Sequence, residues 1–156
     1  MKNEKGQVLV ETAIILPLLL LLIFGLIDFA RAMYTKNTLN NAARSGARTA
    51  AVTQPSPSAE SGTLDSPATS TANMIKNNLF NGIPDSVTYT LNVLDATGTT
   101  PVTGPASAGN IVKVTVTWTD FPMITPLYKI MGIIANSTPQ DSNVLTLTGQ
   151  AAMRRE

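Results

Sequence analysis

The 156-residue chain contains neither histidine nor cysteine. That removes imidazole bases, thiolate nucleophiles, disulfides and most zinc sites together. Its Ser, Asp and Glu residues have no histidine with which to build a triad. No Ser-Lys pair is placed to act as nucleophile and base, and no phosphate-cradling loop is present. The sequence reads as that of a non-enzyme without a cofactor. A net charge of +1 gives no electrostatic case for nucleic acid. One residue still calls for a chemical explanation. From Val8 to Ile27 the chain runs "VLVETAIILPLLLLLIFGLI", and Glu11 is the only charge in it. A carboxylate at the end of an apolar helix costs a few kcal/mol even on lenient insertion scales (about 3 kcal/mol at the centre, less near the interface).

Three arrangements account for Glu11. In the first, the run is a plain transmembrane anchor and Glu11 favours the positive end of the helix dipole. In the second, the run is a cleavable secretory signal with "ARA" at 30 to 32 as the small-x-small site. It is long for that purpose, and Asp28 and Arg31 crowd the site. In the third, a prepilin-type leader is cut between Gly6 and Gln7, and Gln7 becomes a new cationic N-terminus. Glu11 is then the fifth residue of the mature chain. When such helices bundle, the ammonium of one subunit enters an apolar core, and Glu11 of a neighbour pairs with it. A buried charge is costly alone and tolerable when paired, and the pairing sets axial register.

These residues need an element to hold them. A run of about 20 residues spans roughly 30 Å as a helix, the hydrocarbon thickness of a bilayer. Pro17 inside it removes a donor and predicts a kink. The polar continuation "DFARAMYTKNTLNNAARSGARTAAV" has no Pro and one Gly. Phe29, Met33, Lys36, Leu39, Ala43, Ala47 and Ala50 recur there at steps of three and four, which predicts one long helix over 7–52. The small residues Ala43, Ala47 and Ala50 permit close helix packing.

The segment "TQPSPSAESGTLDSP", 53–67, reads as a linker. A second helix is expected from an N-cap at Ser66 with Pro67 at its first position, burying Ala68, Ala72, Ile75 and Leu79 and ending at "NGIP". "VTYTLNVL" (87–94) and "IVKVTVTWT" (111–119) alternate apolar and polar residues as half-buried strands do. The polar stretch between them suits a loop. A buried connection with a short helix is expected in "FPMITPLYKIMGII". A last strand is expected near "NVLTLTGQAAM", with Leu145, Leu147, Gly149, Ala151 and Met153 on one face. The prediction is an α+β head over 68–156, three antiparallel strands under one covering helix. Asp95 to Gly98 lacks the further oxygen ligands of a calcium loop and reads as a polar turn. Asn136-Ser137-Thr138 reads as loop polarity, and Trp118 as core.

"KGQVLVETAIILPLLLLLIFGLIDFARAMYTKNTLNNAARSGARTAA" resembles the TadE-like family of pilin-like proteins from tight-adherence (Flp) type IV pilus systems. The resemblance rests on Gly6, Val10-Glu11, Leu16-Pro17, Gly25-Leu26-Ile27-Asp28-Phe29 and Asn41-Ala42-Ala43-Arg44-Ser45-Gly46-Ala47-Arg48. The ending "AAMRRE" is similar to endings in that family. The resemblance implies cleavage by a prepilin peptidase at Gly6–Gln7, partners among other pilins and the pilus assembly platform, and a role as minor pilin or pseudopilin. Thr12, where major Flp pilins carry Tyr, and the length of the chain both point to a minor component.

Taken together, the sequence predicts a leader (1–6), a long helix (7–52) whose transmembrane part is 8–27, a linker (53–67) and an extracytoplasmic head (68–156). The helix would be stored in lipid, in the bacterial inner membrane, and pack with other pilin helices on assembly. The alternative is a single-pass anchored adhesin or binding module outside any filament, which needs no cut at Gly6. The distribution of cations opposes an external head. Arg31, Lys36, Arg44 and Arg48 outnumber Lys2 and Lys5, and the positive-inside rule would keep the C-terminal side in the cytoplasm.

Overall fold

The computed structural model describes residues 4–53, 59–64, 69–79, 86–102, 107–125 and 144–156. One helix, α1 (Glu4–Thr53), occupies the first of these stretches and continues through Pro17. Its bounds match the expected 7–52 to within a turn, the usual uncertainty of helix ends. By contacts the chain divides into two compact units. Unit 1 comprises Met1–Ala32 and Pro122–Val144, and unit 2 comprises Met33–Phe121 and Leu145–Glu156. α1 contributes residues to both.

Unit 2 is built on a four-stranded antiparallel sheet of β1 (Ala59–Thr63), β2 (Val87–Leu94), β3 (Ile111–Pro122) and β4 (Val144–Arg154), in that spatial order. In β2 and β3 the alternation seen in the sequence becomes register. Val87 faces Trp118, Tyr89 faces Val116, Leu91 faces Val114 and Val93 faces Val112, and all eight side chains are buried. A one-residue slip would turn all of them to the other face. Each fully buried Val or Leu contributes roughly 1.5–3 kcal/mol relative to exposure. Trp118 meets Phe121 edge-to-face, ring centroids 5.1 Å apart.

The second half of α1 lies in this same core. Leu39, Ala42, Ala43, Ala47 and Ala50 are fully buried. Two glycines set the closeness of the packing. A Cβ on Gly46 would lie 2.5 Å from Cγ1 of Ile75 and 3.5 Å from Cγ1 of Val114, and a Cβ on Gly149 would lie 2.6 Å from the Asn40 backbone nitrogen. The backbone N–H of Gln150 donates to Oδ1 of Asn40 at 3.2 Å. The buried stripe includes Leu39 and the alanines as expected, but Phe29 and Met33 at its start are exposed. Thr35 is buried in place of Lys36.

Three further expectations are corrected. The linker over 53–67 contains a strand, β1, so the sheet has four strands where three were expected. β1 pairs with β2 from Ala59↔Asn92 to Thr63↔Thr88. The Glu60 carboxylate anchors it by accepting from the Tyr89 phenol and from Oγ1 of Thr69, the latter at 2.7 Å. Burial, and next the carboxylate beside it, push the Tyr89 phenol above its ordinary pKa. The second helix, α2 (Ser70–Asn77), is capped by Thr69, whose hydroxyl accepts from the Ala72 N–H at 3.2 Å, and not by Ser66. Ala72 and Ile75 are buried as expected, joined by Thr71, while Leu79 is half-buried. On β4, Leu147 and Gly149 are buried but Leu145 and Met153 are exposed. Residues 126–134 of the "FPMITPLYKIMGII" stretch in which a short helix was expected, the "NGIP" stop and the Asn136 sequon lie outside the described residues.

The turn after β2 is polar, as expected. Oδ1 of Asp95 accepts from the Thr99 N–H at 3.0 Å, and Oδ2 accepts from Oγ1 of Thr97 and Oγ1 of Thr100, each at 2.8 Å. Gly98 sits at φ 77°, the left-handed region that glycine tolerates. No group of three or more acidic residues placed to hold a metal occurs among the described residues.

Candidate functional site

Gly6, Gln7 and Glu11 all lie in the first turns of α1 and are exposed. The apolar residues around and after them are exposed on every side of the helix. Leu9 is 70% exposed, Ile14 71% and Leu26 66%. A soluble amphipathic helix buries one apolar stripe, whereas a helix apolar all round needs an apolar medium or a bundle of its own kind. α1 is long and apolar enough to cross a membrane, consistent with a single-pass anchor. Thr12 does not add a free hydroxyl to this surface, because its Oγ1 donates to the Val8 carbonyl at 2.8 Å. The Glu11 carboxylate has no hydrogen bond or ion pair among the described residues. Ala43, Ala47 and Ala50, expected to allow close packing of helices, are buried within unit 2. Beside them Gly46 lies against Ile75 of α2 and Val114 of β3, so in the single chain the close packing is with its own elements.

At the far end of the apolar run lies a contact the sequence did not disclose. Asp28 is 5% exposed. Its Oδ1 accepts from the Ile124 N–H at 2.9 Å, and its Oδ2 accepts from the Thr125 N–H at 2.7 Å and from the Thr125 hydroxyl. Nη1 of Arg31 reaches Oδ1 of Asp28 and the Pro122 carbonyl, each at 3.4 Å. The carboxylate thus receives two backbone donors and a hydroxyl from a segment about 96 residues further along the chain. All of these groups belong to unit 1. In the sequence Asp28 and Arg31 stand as charges crowding the "ARA" site; the structure adds that they pair locally at 3.4 Å, one turn apart. The available signal was the acid itself, since a charge at the edge of an apolar run requires a partner.

Residues 6–48 match the family model described as TadE-like protein. That stretch contains Gly6, Glu11, Pro17, Asp28 and the Asn41–Arg48 motif, and the resemblance seen in the sequence is shown for it. The family is one of pilin-like, structural proteins associated with Tad pili. No curated protein and no solved structure matches the chain.

Proposed function

We propose that the chain, TadE-like over residues 6–48, is a minor pilin or pseudopilin that takes part in assembling a tight-adherence type IV pilus, and so in surface adhesion. The observation that carries this reading is Glu11, an exposed carboxylate on a helix whose apolar surface is exposed all round. A prepilin peptidase cuts between Gly6 and Gln7. The helix then holds the subunit in the inner membrane with unit 2 outside the cytoplasm. On assembly the same surface, Val8 to Ile27, packs against other pilin helices, and Glu11 accepts the N-terminal ammonium of a neighbour. The pair removes two isolated charges from an apolar medium at one stroke, and it does so in one axial register only. The alanine face of α1 takes no part in these contacts.

Mass spectrometry of the mature protein tests the reading. The expected N-terminus is Gln7, and Gly6→Val should leave the leader attached. A mature chain beginning at Met1, or at Met33 after the "ARA" site, would overturn it.

A further inference from the structure

The anchor leaves an apolar pair beyond its own end. Phe29 is 65% exposed and Ile124 is 56% exposed. They come from distant parts of the sequence and are brought to one level by Asp28, the neighbour of Phe29 in sequence, whose carboxylate binds the N–H of Ile124 itself. Phe29 follows the apolar run by two residues, about 3 Å along a helix axis. If the run fills the hydrocarbon, this level is the headgroup boundary, where aromatic and apolar side chains are favoured and an exposed charge on the lipid side is not. Asp28 is suited to that depth, because the Ile124 and Thr125 donors occupy its oxygens and it is buried. Arg31, next along the chain toward the polar part of α1, keeps 41% of its side chain exposed, as a cation facing headgroups would.

We infer that residues 122–125 form a second membrane contact, with Ile124 seated beside Phe29 in the lipid interface and Asp28 as the residue that positions it there. The partner is the lipid surface, identified by Phe29, which follows Leu26 by one helical turn on the exposed apolar surface of α1, and by the bond that ties the exposed Ile124 to Asp28, the residue next to Phe29. The inference rests on the membrane-anchor part of the proposed function and is independent of cleavage and pilus assembly.

The absence of native cysteine makes a site-directed spin label clean. The full chain would be reconstituted in vesicles of phosphatidylethanolamine and phosphatidylglycerol. A nitroxide would be placed in turn on Leu20→Cys, Phe29→Cys, Ile124→Cys and Thr97→Cys, and its collisions with oxygen and with a water-soluble nickel chelate compared. The oxygen-to-nickel ratio at 124 should be several-fold above that at 97 and close to that at 29, with 20 higher still. Adding Asp28→Ala should drop the ratio at 124 to the level of 97 while leaving 29 unchanged. A ratio at 124 equal to that at 97, with 20 in hydrocarbon, overturns the inference and leaves the anchor standing. A ratio at 20 as low as at 97 overturns both. A ratio at 124 that stays high in Asp28→Ala overturns the positioning role of Asp28.

Discussion

Gly149 on β4 lies against the backbone of Leu39 on α1 so closely that a Cβ there would stand 2.7 Å from the Leu39 carbonyl oxygen and 2.6 Å from the Asn40 nitrogen. Backbone cannot rotate out of the way as a side chain can. Gly149→Ala is therefore expected to cost about 3 kcal/mol, the upper end of overpacking penalties. Thermal unfolding in detergent checks this, and a loss below about 0.5 kcal/mol would contradict the close approach.

Gly46 offers the contrasting case. A Cβ there would meet the Ile75 side chain at 2.5 and 2.8 Å, not a backbone atom. Alanine also favours a helix interior over glycine by about 1 kcal/mol. Gly46→Ala is expected to lose less stability than Gly149→Ala, and Ile75→Val should relieve part of that loss. A double-mutant cycle is expected to show coupling of about 1 kcal/mol between the two positions. Strict additivity would mean that they do not touch.

Glu11 separates the bland role from the assembling one. If it only favours the helix dipole, Glu11→Gln costs less than about 1 kcal/mol. If it pairs with a neighbour's ammonium, the change strands a buried cation at a cost of about 3–5 kcal/mol. That weakens docking about a hundredfold or more. The variant is expected to insert and to be cut after Gly6, yet to lose crosslinking to other pilin helices at equal membrane levels. Equal crosslinking would return Glu11 to the dipole role.

Topology sets the leader motif against the cation bias. With residues 1–6 inside and unit 2 outside, an alkaline phosphatase fused after Glu156 is expected to be active. A silent fusion, with a cytoplasmic reporter working at the same point, would show that Arg31, Lys36, Arg44 and Arg48 decide orientation.

Asp95 provides a pH marker. The Thr99 N–H, the Thr100 hydroxyl and the Thr97 hydroxyl hold its carboxyl well below the usual carboxylate range. Its folded pKa is depressed, so its contribution is present above the unfolded value of about 3.9 and is lost as pH falls through the lower folded value. The Thr99 and Thr100 amide resonances should hold steady through about pH 4 and move only below it. A midpoint near the ordinary value would mean that the turn is not closed by this carboxylate.

What could be read from the sequence follows from how far each signal reaches. β2 and β3 were legible because Val87 to Val93 and Val112 to Trp118 alternate at the strand period. α1 was legible because nothing but Pro17 interrupts it. β1 was not, because "AESGT" has no apolar alternation and owes its strand to pairing with β2 and to the grip of Tyr89 and Thr69 on Glu60. Such an edge strand is made by its partner, not by local propensity. Ser66-Pro67 looked the better cap by composition, but Thr69 fills that place. The alanine stripe showed that something packs closely there. It could not show that the something is the chain's own core. Of the candidate site, Gly6, Glu11 and Pro17 were legible by position in an apolar run. The Asp28 contacts with Ile124 and Thr125 were not, since no local pattern encodes a bond across 97 residues.

The bond between Gln150 and Asn40 joins residues 110 apart, and it has a consequence for synthesis. The helix leaves the ribosome about 110 residues ahead of the strand that seats against Leu39 and Asn40. Loops of that length close slowly compared with local turns. During translation the turn of helix at Leu39 and Asn40 therefore waits for its strand while β2 and β3 pair. A chain stopped before Gly149 would leave the helix at Leu39 and Asn40 without the strand that seats there, a turn of bare backbone and side chain open to whatever else is nascent or misfolded nearby.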